Sequence, residues 1–436
     1  MGIGSAYPLS EREVFMGTLS NQNAKCTRKG WLVVILGFLA YCNYSINLNM
    51  LGLGMLNMRE DLGLTIAQGG LLTASSMLGS VIGPILFGML AANKGNRFGE
   101  ITAILTSAIA SIFTAVIPSF YGLMVVRFIV GLGVGGMMGP VLAEVAKHWS
   151  PEWRGRATAW ACCAYQAGSM FTSMVATWLL PNWRALYYMP IIFGVIVVIL
   201  IFFLWPKADV PGYMVEPAQA PVAKADAPKV KLSEILVGPV LMVTIMGILC
   251  SGMNMGAAFG MGAWIPSWLQ VDHGLEASVM ANFNTYNYAA GVVGYLVWSY
   301  VAAKAGSVKT TAITFAGTAL AMVAYLMVSG ETLLVLMGPV VYFFQGGIGA
   351  TTAILFSEMY PARLRALGSG TAYGVARVFS AIGPYTLALL ATSFGYTAAL
   401  WVTPVIFALG LIFTLILGKF VVRYQRSPEW GEETAG

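Results

Sequence analysis

Charged side chains are scarce in this chain: Asp, Glu, Lys and Arg make up 10% of its 436 residues. A soluble globular domain carries about 25%, whereas this sequence is 58% hydrophobic, with a mean hydropathy of +0.75. These values exclude a water-soluble globule and predict an integral protein of the lipid bilayer. The net charge of +6 does not indicate nucleic-acid binding, because the basic residues lie between apolar runs rather than on one solvated domain.

Candidate catalytic and metal-binding residues are also rare. The chain has two histidines, His148 and His273, both in predicted loops, and five cysteines without metal-ligand spacing. No glycine-rich phosphate-binding loop opens a predicted helix, and the polar segments are too short for an ATPase domain. The sequence therefore argues against an enzyme and predicts neither a cofactor nor a metal.

Long apolar runs dominate what is present. Runs of about 20 such residues predict twelve transmembrane helices, at 31–53, 68–92, 101–119, 121–146, 157–180, 185–205, 237–264, 277–303, 311–328, 332–356, 366–393 and 398–420. The predicted fold class is an all-α membrane protein of two six-helix bundles. Its parts are an N-terminal tail (1–30), a first bundle (31–206), a linker (207–236), a second bundle (237–420) and a C-terminal tail (421–436).

Basic residues are distributed unequally between the two sides of this arrangement. Twenty of the 24 Lys and Arg fall on the side of the termini and linker, and the opposite loops hold only Arg59 and Arg184. By the positive-inside rule both termini are expected in the cytoplasm. The linker contains Pro211, Pro217 and Pro221, a composition typical of an extended connection.

The two halves resemble each other. Leu90-Ala-Ala-Asn-Lys-Gly95-Asn-Arg97 between helices 2 and 3 matches Val301-Ala-Ala-Lys-Ala-Gly306-Ser-Val-Lys309 between helices 8 and 9. Glu144 precedes Arg154 and Arg156, as Glu358 precedes Arg363 and Arg365. Such internal repeats are typical of secondary transporters.

These motifs resemble the major facilitator superfamily of secondary transporters. The resemblance rests on two motifs: Gly88, Leu90, Ala91, Lys94, Gly95 and Arg97 at the end of helix 2 and in the loop after it, and Arg127, Gly131, Gly133, Gly135 and Gly136 in helix 4. The run from Glu358 to Arg365, followed by Gly368, Gly370, Gly374 and Arg377, is similar to the organic-acid and aromatic-acid proton symporters. The resemblance implies the major facilitator fold and transport by alternating access in the cytoplasmic membrane.

Two arginines are the ionisable residues within the predicted spans, and such residues mark substrate or ion pathways by default. Arg377 lies ~16 Å into helix 11 at 1.5 Å per residue, near the midplane, where an organic carboxylate would supply its counter-charge. Arg127 in helix 4 is expected either to help bind the anion or to bond structurally to helix 1.

Polar and aromatic side chains at the same depth are expected to line the substrate cavity. They are Asn43, Asn47, Gln166, Asn284, Asn287, Tyr288, Gln345 and Tyr373. Hydrogen bonding between helices is the alternative for each single Asn. The aromatic rings of Tyr288, Tyr373 and Trp264 favour an aromatic acid.

Gating is expected at the cytoplasmic ends, where Glu144 and Glu358 would pair with arginines. The gating set is Gly95, Arg97, Glu144, Arg156, Glu358 and Arg365. Every Asp and Glu maps to a loop or a helix end, so no carboxylate is expected at the bilayer centre.

The predicted function is therefore proton-coupled uptake of a small organic anion by a monomer. An uncoupled facilitator or an anion exchanger is the alternative, and a membrane sensor without transport activity is a third reading that the short loops disfavour.

Overall fold

The computed structural model describes residues 28–149, 157–158, 160–205, 232–360 and 364–424. The helices of the N-terminal half (28–205) are α1 Arg28–Leu62, α2 Ile66–Lys94, α3 Asn96–Val116, α4 Phe120–Gly136, α5 Met138–His148, α6 Ala164–Leu179, α7 Trp183–Leu186 and α8 Met189–Leu204. Those of the C-terminal half (232–424) are α9 Gly238–Val271, α10 Ala277–Ala305, α11 Ser307–Met327, α12 Glu331–Glu358, α13 Arg365–Ala376, α14 Val378–Phe394, α15 Tyr396–Leu400 and α16 Val402–Tyr424.

Within the described ranges, ten helical segments are long and apolar enough to cross a membrane. Two further crossings complete the predicted twelve: α6, which is preceded by helical residues 160–162, and the more polar α10. Most of the predicted linker lies outside the described residues. We call the side of the bundle that carries residues 28, 205, 232 and 424 the inner side.

The two halves are built on the same backbone plan. Helix α10 begins at residue 277 and α2 at residue 66, which is 211 positions earlier, and both helices have 29 residues. Helices α3 and α11 start 211 positions apart as well, at residues 96 and 307, and both have 21 residues. Helix packing repeats too, since α2 packs on α4 as α10 packs on α12.

A glycine with positive φ joins the second and third crossings of each half. Gly95 (φ 91°, ψ 152°) and Gly306 (φ 91°, ψ 145°) have nearly the same backbone conformation. A side chain would be strained there, because φ near +90° disfavours any residue with a Cβ. The matching loop sequences therefore encode the same tight turn.

Close helix crossings also recur at matching positions. A Cβ on Gly83 would clash with the carbonyl oxygen of Leu132, and a Cβ on Gly294 would clash with the carbonyl oxygen of Phe343. Small residues let membrane helices approach until their backbones touch. The second and fourth crossings of each half are therefore held at the same short distance.

The halves contact each other through α1 with α9, α2 with α14, and α6 with α10. Near the outer side, Gly70 packs on Ala388, and Arg59 Nη1 donates a 2.7 Å hydrogen bond to the Tyr396 hydroxyl. The inner segment α13 packs instead on α9 of its own half. The outer ends of the halves are thus closed against each other.

Candidate functional site

Arg377 stands at the break between α13 and α14. Its side chain is 9% exposed, and Nη1 donates a 2.9 Å hydrogen bond to the carbonyl oxygen of Ser80 in α2. The bond links the two halves in the middle of the second and eleventh crossings. No carboxylate among the described residues forms an ion pair with Arg377, so its charge has no acidic partner there.

Tyrosine rings surround this guanidinium. The Tyr373 ring lies 5.8 Å from the Arg377 Cζ, and the phenols of Tyr41 and Tyr44 are within electrostatic range. The rings of Tyr41 and Tyr44 stack at 4.5 Å, because residues three apart share a helix face. An arginine beside stacked aromatic rings can hold both a carboxylate and a flat apolar body.

Helices from both halves extend this aromatic cluster. Tyr165 of α6 lies 6.0 Å from the Tyr44 ring, and Phe259 of α9 packs edge-on against Tyr165 at 6.0 Å. Sequence reasoning counted Tyr44 and Tyr165 among the polar and aromatic side chains at this depth but did not include them in the substrate-binding set, and it missed Tyr41. The spacing of Tyr41 and Tyr44, one turn apart and beside Asn43, was the available signal.

The face of α13 that leads to Arg377 is open. Among the described residues, no atom lies within 4 Å of the place where a Cβ would stand on Gly370 or Gly374. Tyr373, on the same face, is 41% exposed. Arg377 is therefore approached along α13, from the inner side.

Arg127 is placed differently. It is fully buried within the N-terminal half, where Nε donates to Ser76 Oγ at 3.0 Å and Nη2 donates to the Asn47 carbonyl at 3.2 Å. Its Cζ lies 5.9 Å from the Tyr187 ring. These contacts join α1, α2 and α4, as the structural alternative expects.

Among the described residues, the side chains of Asn47 and Asn284 form hydrogen bonds inside their own halves, whereas the side-chain amide of Asn43 and Nδ2 of Asn287 have no hydrogen-bond partner. Asn47 donates to the Asn43 carbonyl at 2.8 Å and accepts from Ser111 Oγ at 2.7 Å. Asn284 donates to the Met280 carbonyl at 3.1 Å. Asn287 is buried against Gly338.

Two contacts between predicted site residues or their neighbours cross from one half to the other. The Tyr288 hydroxyl donates to Asn49 Oδ1 at 2.6 Å, and Gln166 Nε2 donates to Gln345 Oε1 at 3.1 Å. These pairs lie on the packed faces of α1, α6, α10 and α12. They stabilise the interface between the halves.

Trp264 is buried away from Arg377. Its Nε1 donates to the Pro384 carbonyl at 2.8 Å, and its ring covers Gly69. The Tyr288 hydroxyl bonds to Asn49 and not to Arg377. Of the three aromatic residues that the sequence suggested for an aromatic acid, only Tyr373 therefore lies beside Arg377.

The gating residues form matching contacts at the inner ends of both halves. Asn96 Nδ2 donates to Glu144 Oε1 at 2.7 Å, and Ser307 Oγ donates to Glu358 Oε2. Each donor directly follows the positive-φ glycine, Gly95 or Gly306. The Glu residues thereby tie the third crossing to the fourth and the ninth to the tenth.

Arg97 donates to the Phe202 carbonyl, and its Cζ lies 4.7 Å from the Phe202 ring. Arg154, Arg156, Arg363 and the side chain of Arg365 lie outside the described residues, so the predicted ion pairs of Glu144 and Glu358 with them stay predictions. His148 ends α5 rather than lying in a loop, with Nδ1 3.7 Å from Glu144 Oε2.

One carboxylate near the inner end of a helix is buried inside the bundle. Glu100 belongs to the second turn of α3 and is fully buried, and neither carboxyl oxygen has a hydrogen-bond partner among the described residues. The predicted span began one residue later, at Ile101, because hydropathy alone excludes a charged residue from a span. The chain therefore buries a carboxylate without a described hydrogen-bond partner, in addition to Arg127 and Arg377.

Comparison with known proteins identifies the family. The family model of the Major Facilitator Superfamily matches residues 33–355. The chain belongs to the Major Facilitator Superfamily. It is thus a multi-pass membrane transport protein and not an enzyme, and both the resemblance and the all-α fold class expected from sequence are confirmed.

Relatives of this superfamily member include transporters of organic acids. The cis,cis-muconate transport protein of Acinetobacter baylyi is 25% identical over 380 residues, covering 86% of this chain and 91% of the relative. The 3-(3-hydroxy-phenyl)propionate transporter of Escherichia coli is 23% identical over 354 residues, covering 81% of this chain and 85% of the relative.

A solved structure shares the fold. The crystal structure of a bacterial homologue of the human lysosomal transporter Spinster, inward-facing and unoccupied, matches with a TM-score of 0.71 and 14% identity. The match covers 92% of this chain and 99% of that one. At this identity the likeness concerns the fold alone.

Proposed function

We propose that this chain transports a small organic carboxylate, with an aromatic ring, across the cytoplasmic membrane by alternating access. Arg377 binds the carboxylate and the tyrosine cluster receives the ring. One observation carries the proposal. Arg377 is buried and has no acidic partner among the described residues, and the face of α13 that leads to it is not covered by any of them.

The geometry suits an anion. One nitrogen of Arg377 donates to the Ser80 carbonyl, which positions the guanidinium and leaves further N–H groups for a carboxylate. Desolvated charge-assisted hydrogen bonds are the strong ones. Tyr41, Tyr44 and Tyr373 add phenol hydroxyls and ring faces that favour an aromatic or conjugated acid over an aliphatic one.

The packing of the halves supports transport by alternating access. The outer side is tied by Arg59 and Tyr396, and the site is approached along the open face of α13. Parting of the outer contacts while the inner ends close would expose Arg377 to the other side. We assign the inner side to the cytoplasm on the distribution of Lys and Arg.

The transport is proton-coupled uptake in this proposal, as in the organic-acid symporters that the chain resembles. Uncoupled facilitation and anion exchange use the same site. Accumulation of substrate against its gradient when only a pH gradient is applied separates coupled uptake from both.

Arg377 variants test the proposal in proteoliposomes by counterflow of radiolabelled acids, including muconate and hydroxyphenylpropionate. Arg377→Lys keeps the charge but loses the planar two-pronged contact, which costs about 1–3 kcal/mol. Apparent affinity should then fall roughly 5- to 150-fold, since ~1.4 kcal/mol corresponds to tenfold. Arg377→Ala should abolish counterflow.

The matched control is Arg184→Ala, which removes a half-exposed arginine paired with Asp61 at the outer side. It should transport like the wild type. Unchanged affinity of a folded Arg377→Ala variant would show that Arg377 is structural and would remove the main support for an anionic substrate.

A further inference from the structure

Glu100 has no role in the site described above, yet burying its carboxyl group costs free energy if the group is ionised. It is 0% exposed, and both carboxyl oxygens are among the buried atoms without a hydrogen-bond partner in the described part of the chain. Burying an ionised carboxylate without a donor costs far more than burying a neutral acid. The environment of Glu100 thus fits the protonated carboxylic acid.

The matching position in the other half shows that the fold does not require a carboxylate there. Residue 311 follows residue 100 by the same 211 positions that separate α11 from α3. Thr311 is also fully buried, and its hydroxyl donates to the Ser307 carbonyl at 2.8 Å. A short polar side chain that satisfies itself therefore fills this place in the C-terminal half.

Few charged residues of the described part of the chain lie on the helices packed on α3. Their inner ends carry Arg28 and Lys29 (α1), Lys94 (α2), and Glu144, Lys147 and His148 (α5). Helix α4 carries Arg127, which is bonded to Ser76 and Asn47, α7 carries Arg184 at the outer side, and α8 carries none. Lys94 lies over the Phe98 ring and Glu144 accepts from Asn96. On α3 itself, Arg97 is committed to the Phe202 carbonyl.

We propose that Glu100 binds the proton that is transported with the substrate. This rests on the proposed function, which it deepens by assigning the coupling residue. Glu100 lies one helical turn, about 6 Å, from Asn96, whose bond to Glu144 ties α3 to α5 at the inner end. The neutral acid is compatible with that packed arrangement, whereas the carboxylate needs water or a donor.

Proton release is then linked to movement of the inner end. When α3 parts from its neighbours and water reaches Glu100, the O–H bond breaks, the proton passes to water on the inner side, and the electron pair stays on the carboxylate. For a proton to cross with the substrate, Glu100 must take up its next proton from the outer side, in the outward-facing part of the cycle, before the packed state forms again. Coupling thus uses a carboxylate near the inner end of α3 and not one beside Arg377.

The test uses Glu100→Gln, a neutral side chain of nearly the same shape as the protonated acid. Proteoliposomes are assayed for counterflow at equal pH on both sides and for accumulation driven by a pH gradient, with a pH-sensitive dye inside. Wild type should accumulate the acid and move protons. Glu100→Gln should keep counterflow within about threefold but lose accumulation and the dye signal.

Glu331→Gln is the matched control, because Glu331 is an exposed carboxylate in the first turn of α12. It should behave as wild type. Accumulation by Glu100→Gln, or counterflow without accumulation by the wild type, would overturn the assignment while leaving the carboxylate site intact. Absence of counterflow in the wild type would instead overturn the proposed function.

A second measurement does not depend on transport. The infrared spectrum of wild-type protein in lipid at neutral pH should contain the carbonyl band of a buried protonated carboxylic acid, and Glu100→Thr, which copies Thr311, should lack it. Equal bands in the two proteins, or none in the wild type, would contradict the proposal even if Glu100→Gln were poorly folded.

Discussion

At the place where α2 crosses α4, the N-terminal half has Ser76 and Arg127, and the C-terminal half has Asn287 and Gly338 at positions 211 residues later. Arg127 donates to Ser76. In the other half Asn287 lies so close to Gly338 that a Cβ there would clash with its amide oxygen. One crossing geometry is thus filled either by a long cation or by an amide.

Buried ionisable side chains also differ between the two halves at equivalent positions. The N-terminal half buries Glu100 and Arg127, where the other half has Thr311 and Gly338. The C-terminal half carries Arg377 at the break in its eleventh crossing. The two halves share a backbone plan and differ in the ionisable side chains that they place on it.

The largest effect is expected from the shared crossings. Gly83→Val and Gly294→Val each push a side chain onto a backbone carbonyl, of Leu132 or Phe343. Because a backbone cannot move aside as a flexible side chain can, the whole helix crossing has to separate. Both variants should fail to give monodisperse protein on size-exclusion chromatography in detergent. Gly88→Val, on α2 with no described atom within 4 Å of its Cβ position, is the control. A stable Gly294→Val would break the equivalence of the two crossings.

A smaller loss of thermal stability is expected when the crossing of α2 with α4 receives the residues found where α10 crosses α12. Arg127→Gly removes two hydrogen bonds from a charged group, each worth about 1.5–3 kcal/mol. Adding Ser76→Asn should recover part of the loss, because an amide then fills the vacated space as Asn287 does. Thermal unfolding in detergent measures both variants.

Counterflow of the same pair shows whether Arg127 also touches substrate. Recovered stability with unchanged substrate affinity identifies a structural arginine. Affinity that falls in both variants identifies a binding residue, and a double variant no more stable than Arg127→Gly would show that the crossings are not interchangeable.

The smallest effect is expected at the inner ends. Asn96→Ala and Ser307→Ala each remove one hydrogen bond to a terminal glutamate, Glu144 or Glu358. Each variant loses one hydrogen bond to a charged group, worth about 1.5–3 kcal/mol, where Arg127→Gly loses two, so both should lower thermal stability by similar and smaller amounts. A large fall in thermal stability in only one of the two variants would show that the two hydrogen bonds are not equivalent.

Hydropathy and the repeated loop motifs were enough to predict the membrane class, the twelve crossings and the repeat. Hydropathy is additive along a chain, so a run of 20 apolar residues predicts a span without knowledge of its neighbours. The glycine turns were readable for the same reason, since the matching loops around Gly95 and Gly306 are local. Arg377 was recognisable because a charge within an apolar run is conspicuous.

The tertiary structure decided which side chains meet. Tyr41, Tyr165 and Phe259 belong to the aromatic cluster that extends from Arg377, although they come from the first, fifth and seventh crossings, and no spacing along the chain connects them. Arg127 and Arg377 looked alike in sequence, yet one bonds to carbonyl and hydroxyl oxygens inside its own half and the other faces an open helix. The burial of Glu100 depends on how α3 packs against the other helices, and hydropathy, which assigns a charged residue to the nearest loop, cannot report it.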